Sequence, residues 1–296
     1  MALINWYPGH IAKAQNTLKE QLKLIDFVLE LVDARLPGGG RFDQTNRLLG
    51  EKPRVLVFTK SDLALADRTQ AWVQFYRSQG LHVVTLNAQT GQGMPGLHKA
   101  LEAEAARIRQ KMIARGRLPR ASRVMVVGMP NVGKSSLINK LAKRKAAQVG
   151  NKPGVTKSVS WIRLGKEIEL LDTPGIIPPK LEDQELAIKL ALVGSVSTEA
   201  YDPILLVPEA LRLLEKYAPQ TIADFEDPSI EGIARQRGFL RPGGELDLER
   251  TARELLHDIR TGALGPMSLD FSPKVQAALA AEAAEEVLVL EPPEAQ

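Results

Sequence analysis

One eight-residue stretch near the middle of the chain constrains the fold more than any other. Residues 128–135 follow the pattern G-x-x-x-x-G-K-S, which is typical of a loop that wraps around nucleotide phosphates. An apolar run at 123–127 precedes the loop and a helical pattern at 136–142 follows it, so we expect a buried strand, the loop and a helix. Glycines let the backbone approach phosphates closely, and the helix N-terminus directs N–H groups toward them.

Within this phosphate loop, two side chains have expected roles. We expect Lys134 to reach the β- and γ-phosphates of a nucleotide and Ser135 to give a hydroxyl ligand to Mg²⁺. The other residues of this stretch that we expect to contact the nucleotide are Pro130, Asn131, Val132, Gly133 and Ser136.

Composition limits the class of protein. A length of 296 residues suggests two domains, and the lack of cysteine excludes disulfides and cysteine-ligated metals. No apolar run approaches the roughly 20 residues that span a bilayer, and the N-terminus does not resemble a signal peptide. We therefore expect a soluble cytoplasmic protein without a membrane partner. The net charge of +4 is only a weak indication of nucleic acid binding.

A second motif lies far upstream, directly after the apolar strand pattern at 54–58. Residues 59–62 read T-K-S-D, and we expect Thr59, Lys60, Ser61 and Asp62 to bind a nucleotide base. The Asp62 carboxylate can accept from guanine N1–H and from the 2-amino group, a donor pair that adenine lacks. The aliphatic stem of Lys60 can lie over the base. Taken alone, this short motif is also compatible with an ordinary surface turn.

Two further strand ends are candidate positions for the site. Asn87 and Ala88 follow a strand at 82–86, and by order and spacing they occupy the place of a loop that contacts the guanine 6-oxo group. Asp33 ends a strand at 26–32, and the carboxyl ends of strands are where α/β proteins bind ligands. Asp33 is equally compatible with a structural role, in which it caps the next turn.

The segment after the phosphate loop supplies the γ-phosphate and metal motifs. Thr156 follows Ser135 by 21 residues (156 − 135), which suits a mobile loop that reaches Mg²⁺ and the γ-phosphate. A strand pair at 158–164 and 167–171 then ends in D-T-P-G at 172–175. We expect Asp172 to hold Mg²⁺ through water and the N–H of Gly175 to contact the γ-phosphate.

The order of these motifs is unusual, because the guanine motif precedes the phosphate loop. The chain resembles the circularly permuted GTPases, and among them the ribosome biogenesis GTPase A family. The family's W-[FY]-P-G-H-M-x-K-A stretch matches residues 6–14, with Ile11 in place of Met, and its D-A-R matches residues 33–35. The resemblance implies GTP hydrolysis in late assembly of the large ribosomal subunit, with a ribosome-stimulated rate and a low intrinsic one.

The resemblance also suggests the catalytic group and a second ion. The residue after Gly175 is Ile176, whose aliphatic side chain cannot orient water. The family implies that His10 positions the attacking water; without the resemblance, His10 would be a structural turn residue. In related GTPases an asparagine at the position of Asn131 helps to bind K⁺. The alternative is that Asn131 only shapes the loop.

The predicted fold class is α/β: a circularly permuted P-loop GTPase domain over 1–178, with a mostly parallel sheet and helices on both faces, then a small all-α domain over 179–296 with an acidic tail. Helices are expected near 183–193, 207–217, 228–237, 247–261 and 272–286. The resemblance makes precursor large subunits and their rRNA the expected partners of a monomer. The alternatives are a GTP-dependent RNA-binding scaffold with negligible turnover, and a regulator of mature ribosomes.

Overall fold

The computed structural model describes residues 3–4, 19–41, 43–142, 160–172 and 183–290; the side chains of 43–45, 160, 172 and 282–290 are outside this description. Its strands form one six-stranded sheet in the order β3-β2-β1-β4-β6-β5. All neighbouring pairs are parallel except β5 and β6, which are antiparallel. The strands are β1 (Phe27–Asp33), β2 (Arg54–Thr59), β3 (His82–Thr85), β4 (Ser122–Gly128), β5 (Ser160–Leu164) and β6 (Ile168–Asp172).

The central strands are mostly apolar, because helices cover both faces of a parallel sheet. All seven residues of β1 are buried. One face of the sheet packs against the two helices that flank the phosphate loop in sequence. The other face packs against the helix at 66–78, the end of the helix at 43–49 and residues 22–25. The helices of this part are α1 (Asp43–Leu49), α2 (Ala66–Ser78), α3 (Met94–Ala114) and α4 (Lys134–Ala142).

The rest of the chain is helical and has its own core. Its helices are α5 (Gln184–Leu192), α6 (Pro203–Tyr217), α7 (Ile230–Arg237), α8 (Leu248–Thr261) and α9 (Pro273–Leu290). Asp183, Asp202 and Asp247 cap α5, α6 and α8, each by accepting a backbone N–H of the first turn. The core of this helical part also contains Leu36 and Met129, so the loops after β1 and β4 pack directly into it.

After α8 the chain returns to the sheet domain. The N–H of Met267 donates to the Leu63 carbonyl at 2.9 Å, and the N–H of Leu269 donates to the Arg35 carbonyl at 2.7 Å. The carboxylate of Asp270 accepts from the N–H groups of Gly38 and Gly39 at 2.7 and 3.0 Å. Helix α9 then packs against α2. The helical part is therefore fastened beside the loops at the carboxyl end of the sheet.

The predicted mostly parallel sheet with helices on both faces, followed by an all-α part, is confirmed. Two details differ. Helix α1 was not expected from the sequence, and α6 begins at Pro203 rather than near 207, with Pro208 inside it. The domain boundary near 178 falls outside the described residues and stays a prediction. Among the helices that the structure describes, none is long and apolar enough to cross a membrane.

Candidate guanine nucleotide site

The two nucleotide motifs lie at the same edge of the sheet. The T-K-S-D loop follows β2 and the phosphate loop follows β4, and β1 lies between these two strands. From β1 the chain continues to β2 on one side, while β4 pairs with β1 on the other. This change in strand order creates a crevice outside the carboxyl ends of the strands, which is where open α/β sheets bind ligands.

Thr59 joins the two motifs directly. Its hydroxyl donates to the Val132 carbonyl of the phosphate loop at 2.6 Å and lies 3.2 Å from the Val32 carbonyl. Thr59 is buried, so this contact is protected from water. The threonine makes this contact between the two loops with its hydroxyl. Asp62 is exposed beyond this contact, at the end of the loop, where a base can reach its carboxylate.

The phosphate loop has the backbone geometry that its glycines predict. A Cβ on Gly128 would lie 2.4 Å from the Leu31 carbonyl oxygen of β1, so only glycine fits there. Gly133 has a φ of 102°, in the left-handed region, and a Cβ on it would meet open space. The ammonium of Lys134 lies inside the loop, where it donates to the carbonyls of Gly128 and Met129 at 3.1 and 2.8 Å. Ser135 follows in the first turn of α4.

Asn131 connects the phosphate loop to the helical part. It takes a left-handed φ of 56°, and its Nδ2 donates to the Gly194 carbonyl at 2.8 Å. Asparagine tolerates this backbone conformation better than most residues with a Cβ. Asn131 therefore takes part in the conformation of the loop and joins it to the helical part, and its role in binding K⁺ stays a prediction.

Asp33 lies between the two motifs at the end of β1. Its carboxylate caps the turn by accepting from the Arg35 N–H at 3.1 Å, and it accepts from Nε and Nη2 of the same arginine, both at 2.9 Å. The Lys60 ammonium lies 2.9 Å from Asp33 Oδ2. Burial by itself raises the pKa of Asp33, but the charges and hydrogen bonds of Arg35 and Lys60 outweigh burial and hold this pKa well below its usual value.

The loop after β3 completes the base side of the crevice. The Asn87 side-chain oxygen accepts from the N–H groups of Gln89 and Thr90, at 2.8 and 3.2 Å, and so sets the path of the loop. Ala88 is half-buried and packs against the core of the sheet domain. The Ser61 N–H donates to the Leu86 carbonyl at 3.3 Å, which joins this loop to the T-K-S-D loop.

Several predicted site residues lie outside the described residues: His10, Thr156 and Gly175, together with Ile176. Of Asp172 the structure describes the backbone, which ends β6 and pairs with Val126 of β4. Asp172 therefore lies at the end of the strand that neighbours β4, the strand that precedes the phosphate loop. A serine hydroxyl and a carboxylate suit Mg²⁺, which prefers oxygen ligands.

Sequence reasoning missed the partners that join the site to the helical part. Arg35 donates to the carbonyls of Val193, Ile259 and Arg260, which follow it by 158 to 225 residues. A backbone carbonyl leaves no mark in the residue types, so these acceptors could not be found by motif. The available signal was the D-A-R pattern itself at the end of a buried strand.

Comparison with known proteins agrees with this site. A family model described as a 50S ribosome-binding GTPase matches residues 123–231, from β4 into the helical part. The chain is 41% identical to ribosome biogenesis GTPase A of Bacillus cereus over 277 residues, which cover 90% of this chain and 94% of that protein. The chain belongs to the ribosome biogenesis GTPase A family. It is a GTPase of ribosome large-subunit biogenesis.

More distant relatives and solved structures extend the similarity. Ribosome biogenesis GTPase A of Thermotoga maritima is 32% identical over 90% of this chain and 94% of its own length. Mitochondrial ribosome-associated GTPase 1 of Mus musculus is 34% identical over 90% of this chain and 89% of its own. The GNP-bound crystal structure of YlqF from T. maritima covers 88% of this chain and 98% of that chain, with 30% identity and a TM-score of 0.64. The GDP-bound structure of the T. maritima protein has a TM-score of 0.66 at 29% identity, and it covers 87% and 99% of the two chains.

Proposed function

We propose that this GTPase binds precursor large ribosomal subunits in its GTP form and is stimulated by them to hydrolyse GTP in the cytoplasm. The observation that carries this proposal is the joined pair of motifs: Thr59 of the base loop donates to Val132 of the phosphate loop, so one crevice holds both ends of a nucleotide. Family membership supplies the link to the ribosome.

The base contacts select guanine. Asp62 accepts from guanine N1–H and the 2-amino group, Lys60 lies along the base, and the 87–88 loop meets the 6-oxo group. Adenine would leave the Asp62 carboxylate without its two donors, and sites of this kind discriminate strongly. GTP should therefore compete for the site far better than ATP.

The proposed Mg²⁺ ligands come from three separate segments of the chain. Mg²⁺ binds Ser135, Thr156 and, through water, Asp172, and it neutralises charge that develops on the phosphates. Lys134 contributes a fixed positive charge inside the loop. K⁺ binds beside the phosphates at Asn131; since Nδ2 donates to Gly194, the side-chain ligand is Oδ1. We expect faster hydrolysis in K⁺ than in Na⁺, and equal rates in the two salts would contradict this.

The water-positioning group is His10. Ile176 stands where GTPases commonly place a glutamine, and an aliphatic side chain offers no hydrogen bond to water. A histidine within hydrogen-bond reach of the water can supply that contact, directly or through one further group.

Ribosomal RNA is the expected contact of the helical part, through surface arginines. Arg235, Arg241 and Arg253 have exposed side chains and suit phosphate contacts. Arg260 is different, because it donates to the Ala191 carbonyl within the helical part. The protein acts as a monomer in this proposal, and its RNA affinity falls steeply with salt.

A turnover assay tests the proposal. GTP hydrolysis is measured with and without purified precursor large subunits, for the wild type and His10→Ala. We expect precursor particles to stimulate the wild type and to have much less effect on His10→Ala. Co-sedimentation in GDP and in a non-hydrolysable GTP analogue measures the binding step separately. Equal affinity in both nucleotides, or full turnover by His10→Ala, would refute the corresponding part.

A further inference from the structure

A chain of short polar contacts runs from the base loop to the helical part. The Lys60 ammonium lies 2.9 Å from Asp33 Oδ2. The same carboxylate oxygen accepts from Arg35 Nη2, also at 2.9 Å. Lys60 and Arg35 therefore share one acceptor, and a shift of either cation changes the contacts of the other.

Arg35 uses every N–H of its guanidinium. Nε donates to Asp33, and Nη2 donates to Asp33 and to the Val193 carbonyl at 3.2 Å. Nη1 donates to the carbonyls of Ile259 and Arg260 at 3.4 and 3.1 Å. Arg35 is 1% exposed, so water cannot replace a lost partner cheaply. Its charge is balanced by Asp33, while its orientation depends on the helical part.

The acceptor Val193 belongs to a turn that also contacts the phosphate side. Helix α5 ends there with Gly194 at a φ of 81°, closed by Ser195 N–H to the Leu190 carbonyl at 2.8 Å. The Val193 carbonyl accepts from Arg35 and the next carbonyl, of Gly194, accepts from Asn131. The Val193–Gly194 turn thus receives one contact from each side of the nucleotide crevice.

We infer that Asp33 and Arg35 are positioning residues that hold Lys60 in place for the guanine base and couple base binding to the Val193–Gly194 turn of the helical part. Asp33 fixes the ammonium, so the aliphatic stem of Lys60 is set in one orientation before a base arrives. A base that packs on this stem stabilises the Asp33–Arg35 pair and, with it, the docked turn. The inference rests on the proposed guanine site and is independent of ribosome binding.

This coupling acts through the base and does not require a γ-phosphate. A coupling through the γ-phosphate would make the helical part respond to GTP but not to GDP. A coupling through the base makes it respond to either nucleotide, compared with an empty pocket. GDP alone should therefore stabilise the Val193–Gly194 turn. By reciprocity, loosening the turn should weaken the binding of GDP and GTP alike.

Nucleotide dissociation tests the positioning role. Release of GDP that carries a fluorescent N-methylanthraniloyl group is followed after chase with unlabelled GDP. We expect Asp33→Asn to release it about tenfold faster, the size of one charged hydrogen bond. Inosine diphosphate release should quicken by the same factor, because the Lys60 stem contacts any purine. The matched control is Glu30→Gln, since Glu30 is an equally buried carboxylate of β1 that pairs with Arg41; its release rate should equal that of the wild type.

Hydrogen exchange tests the coupling. In the wild type, saturating GDP should slow amide exchange in residues 190–196 and 259–265 by about fivefold or more, the lower end of ordinary coupling energies. Asp33→Asn at saturating GDP should show no such slowing, although it is fully bound. A purely structural role of Asp33 would lower thermal stability without removing the GDP-dependent difference.

Lys60→Met provides a second route, because it removes the ammonium and leaves the Asp33–Arg35 pair intact. If Asp33→Asn fails to fold, Lys60→Met alone should quicken GDP release and abolish the exchange difference. Where both fold, the double variant should release GDP no faster than the faster single variant, since both changes remove one interaction. Additive effects, or wild-type release by both variants, would overturn the inference. Absence of GDP binding by the wild type would instead overturn the proposed site.

Discussion

Strand β1 carries two buried carboxylates that look alike and differ in what they connect. Glu30 is 3% exposed and pairs with Arg41 at 2.8 and 3.0 Å; Asp33 is 4% exposed and pairs with Arg35 at 2.9 Å twice. The second cation of Glu30 is Arg54 of β2, 3.6 Å away. All partners of Glu30 thus lie in the sheet domain, whereas those of Asp33 reach the base loop and, through Arg35, the helical part. Burial and pairing alone do not identify a functional carboxylate; the elements that it joins do.

The largest loss of stability is expected from breaking the Glu30–Arg41 ion pair, which lies away from the nucleotide site. Glu30→Gln leaves Arg41 and Arg54 facing a neutral group in a buried position, which should cost about 3–5 kcal/mol of unfolding free energy. Urea denaturation measures this. The matched control is Glu209→Gln, whose pair with Arg212 is exposed, so its loss should have little effect on stability. Equal losses for the two variants would remove the distinction between buried and exposed pairs.

A third buried carboxylate, that of Asp270, accepts from backbone N–H groups and not from arginines. Burial raises the pKa of Asp270 to about 6, although the N–H groups of Gly39 and Gly38 and the charge of Lys189 oppose the rise. Since the folded state holds this proton more tightly than the unfolded chain, the wild type should lose stability as the pH rises from about 4 to about 6. The shift of about two pKa units corresponds to a loss of about 3 kcal/mol.

Asp270→Asn cannot ionise and should lack this loss. Unfolding free energies of the wild type and the variant, measured from pH 4 to pH 7, should diverge in favour of the variant by up to that amount. The positive charges of Arg68 and Lys189 both interact with the Asp270 carboxylate. A constant difference between the two proteins across the range would show that Asp270 is ionised at every pH.

The smallest loss of stability is expected at Thr59, whose contact with the phosphate loop is an uncharged hydrogen bond. Thr59→Val removes the donor to the Val132 carbonyl and leaves that acceptor buried, which should cost about 1–2 kcal/mol. GDP affinity, measured by calorimetry, should fall by about tenfold. Thr59→Asn retains a donor and serves as the control with near wild-type affinity. Wild-type affinity of Thr59→Val would show that this hydrogen bond does not matter for nucleotide binding.

The fold and the chemical identity of the site followed from local patterns. The strands, the phosphate loop and the T-K-S-D loop each occupy a few consecutive residues whose types reflect their own backbone geometry, as the left-handed φ of 102° at Gly133 illustrates. Helix α1 escaped prediction because its sequence, D-Q-T-N-R-L-L, has apolar residues only at its end. The start of α6 was missed because Pro208 suggested a boundary, whereas Pro203 occupies the first turn and Asp202 caps it.

The contacts between the sheet domain and the helical part could not be predicted from local sequence patterns. Asp33 was open between a ligand contact and a turn cap, and the structure gives it the cap and an ion pair with Lys60. The carbonyls that accept from Arg35 are determined by the way in which the helical part packs on the sheet domain. That packing involves the whole core that contains Leu36 and Met129. Such contacts depend on distances between residues that are far apart in the chain.

The separation between Arg35 and its acceptors has a consequence during protein synthesis. Ile259 and Arg260 leave the ribosomal exit tunnel 224 and 225 residues after Arg35. Until then the nascent chain has the base motif, the phosphate loop and, once it is made, the Val193 carbonyl, but it lacks the two acceptors of Arg35 Nη1. The nucleotide pocket should therefore mature only after residues 259 and 260 have been synthesised, so a chain that stalls before them would not be a competent assembly factor.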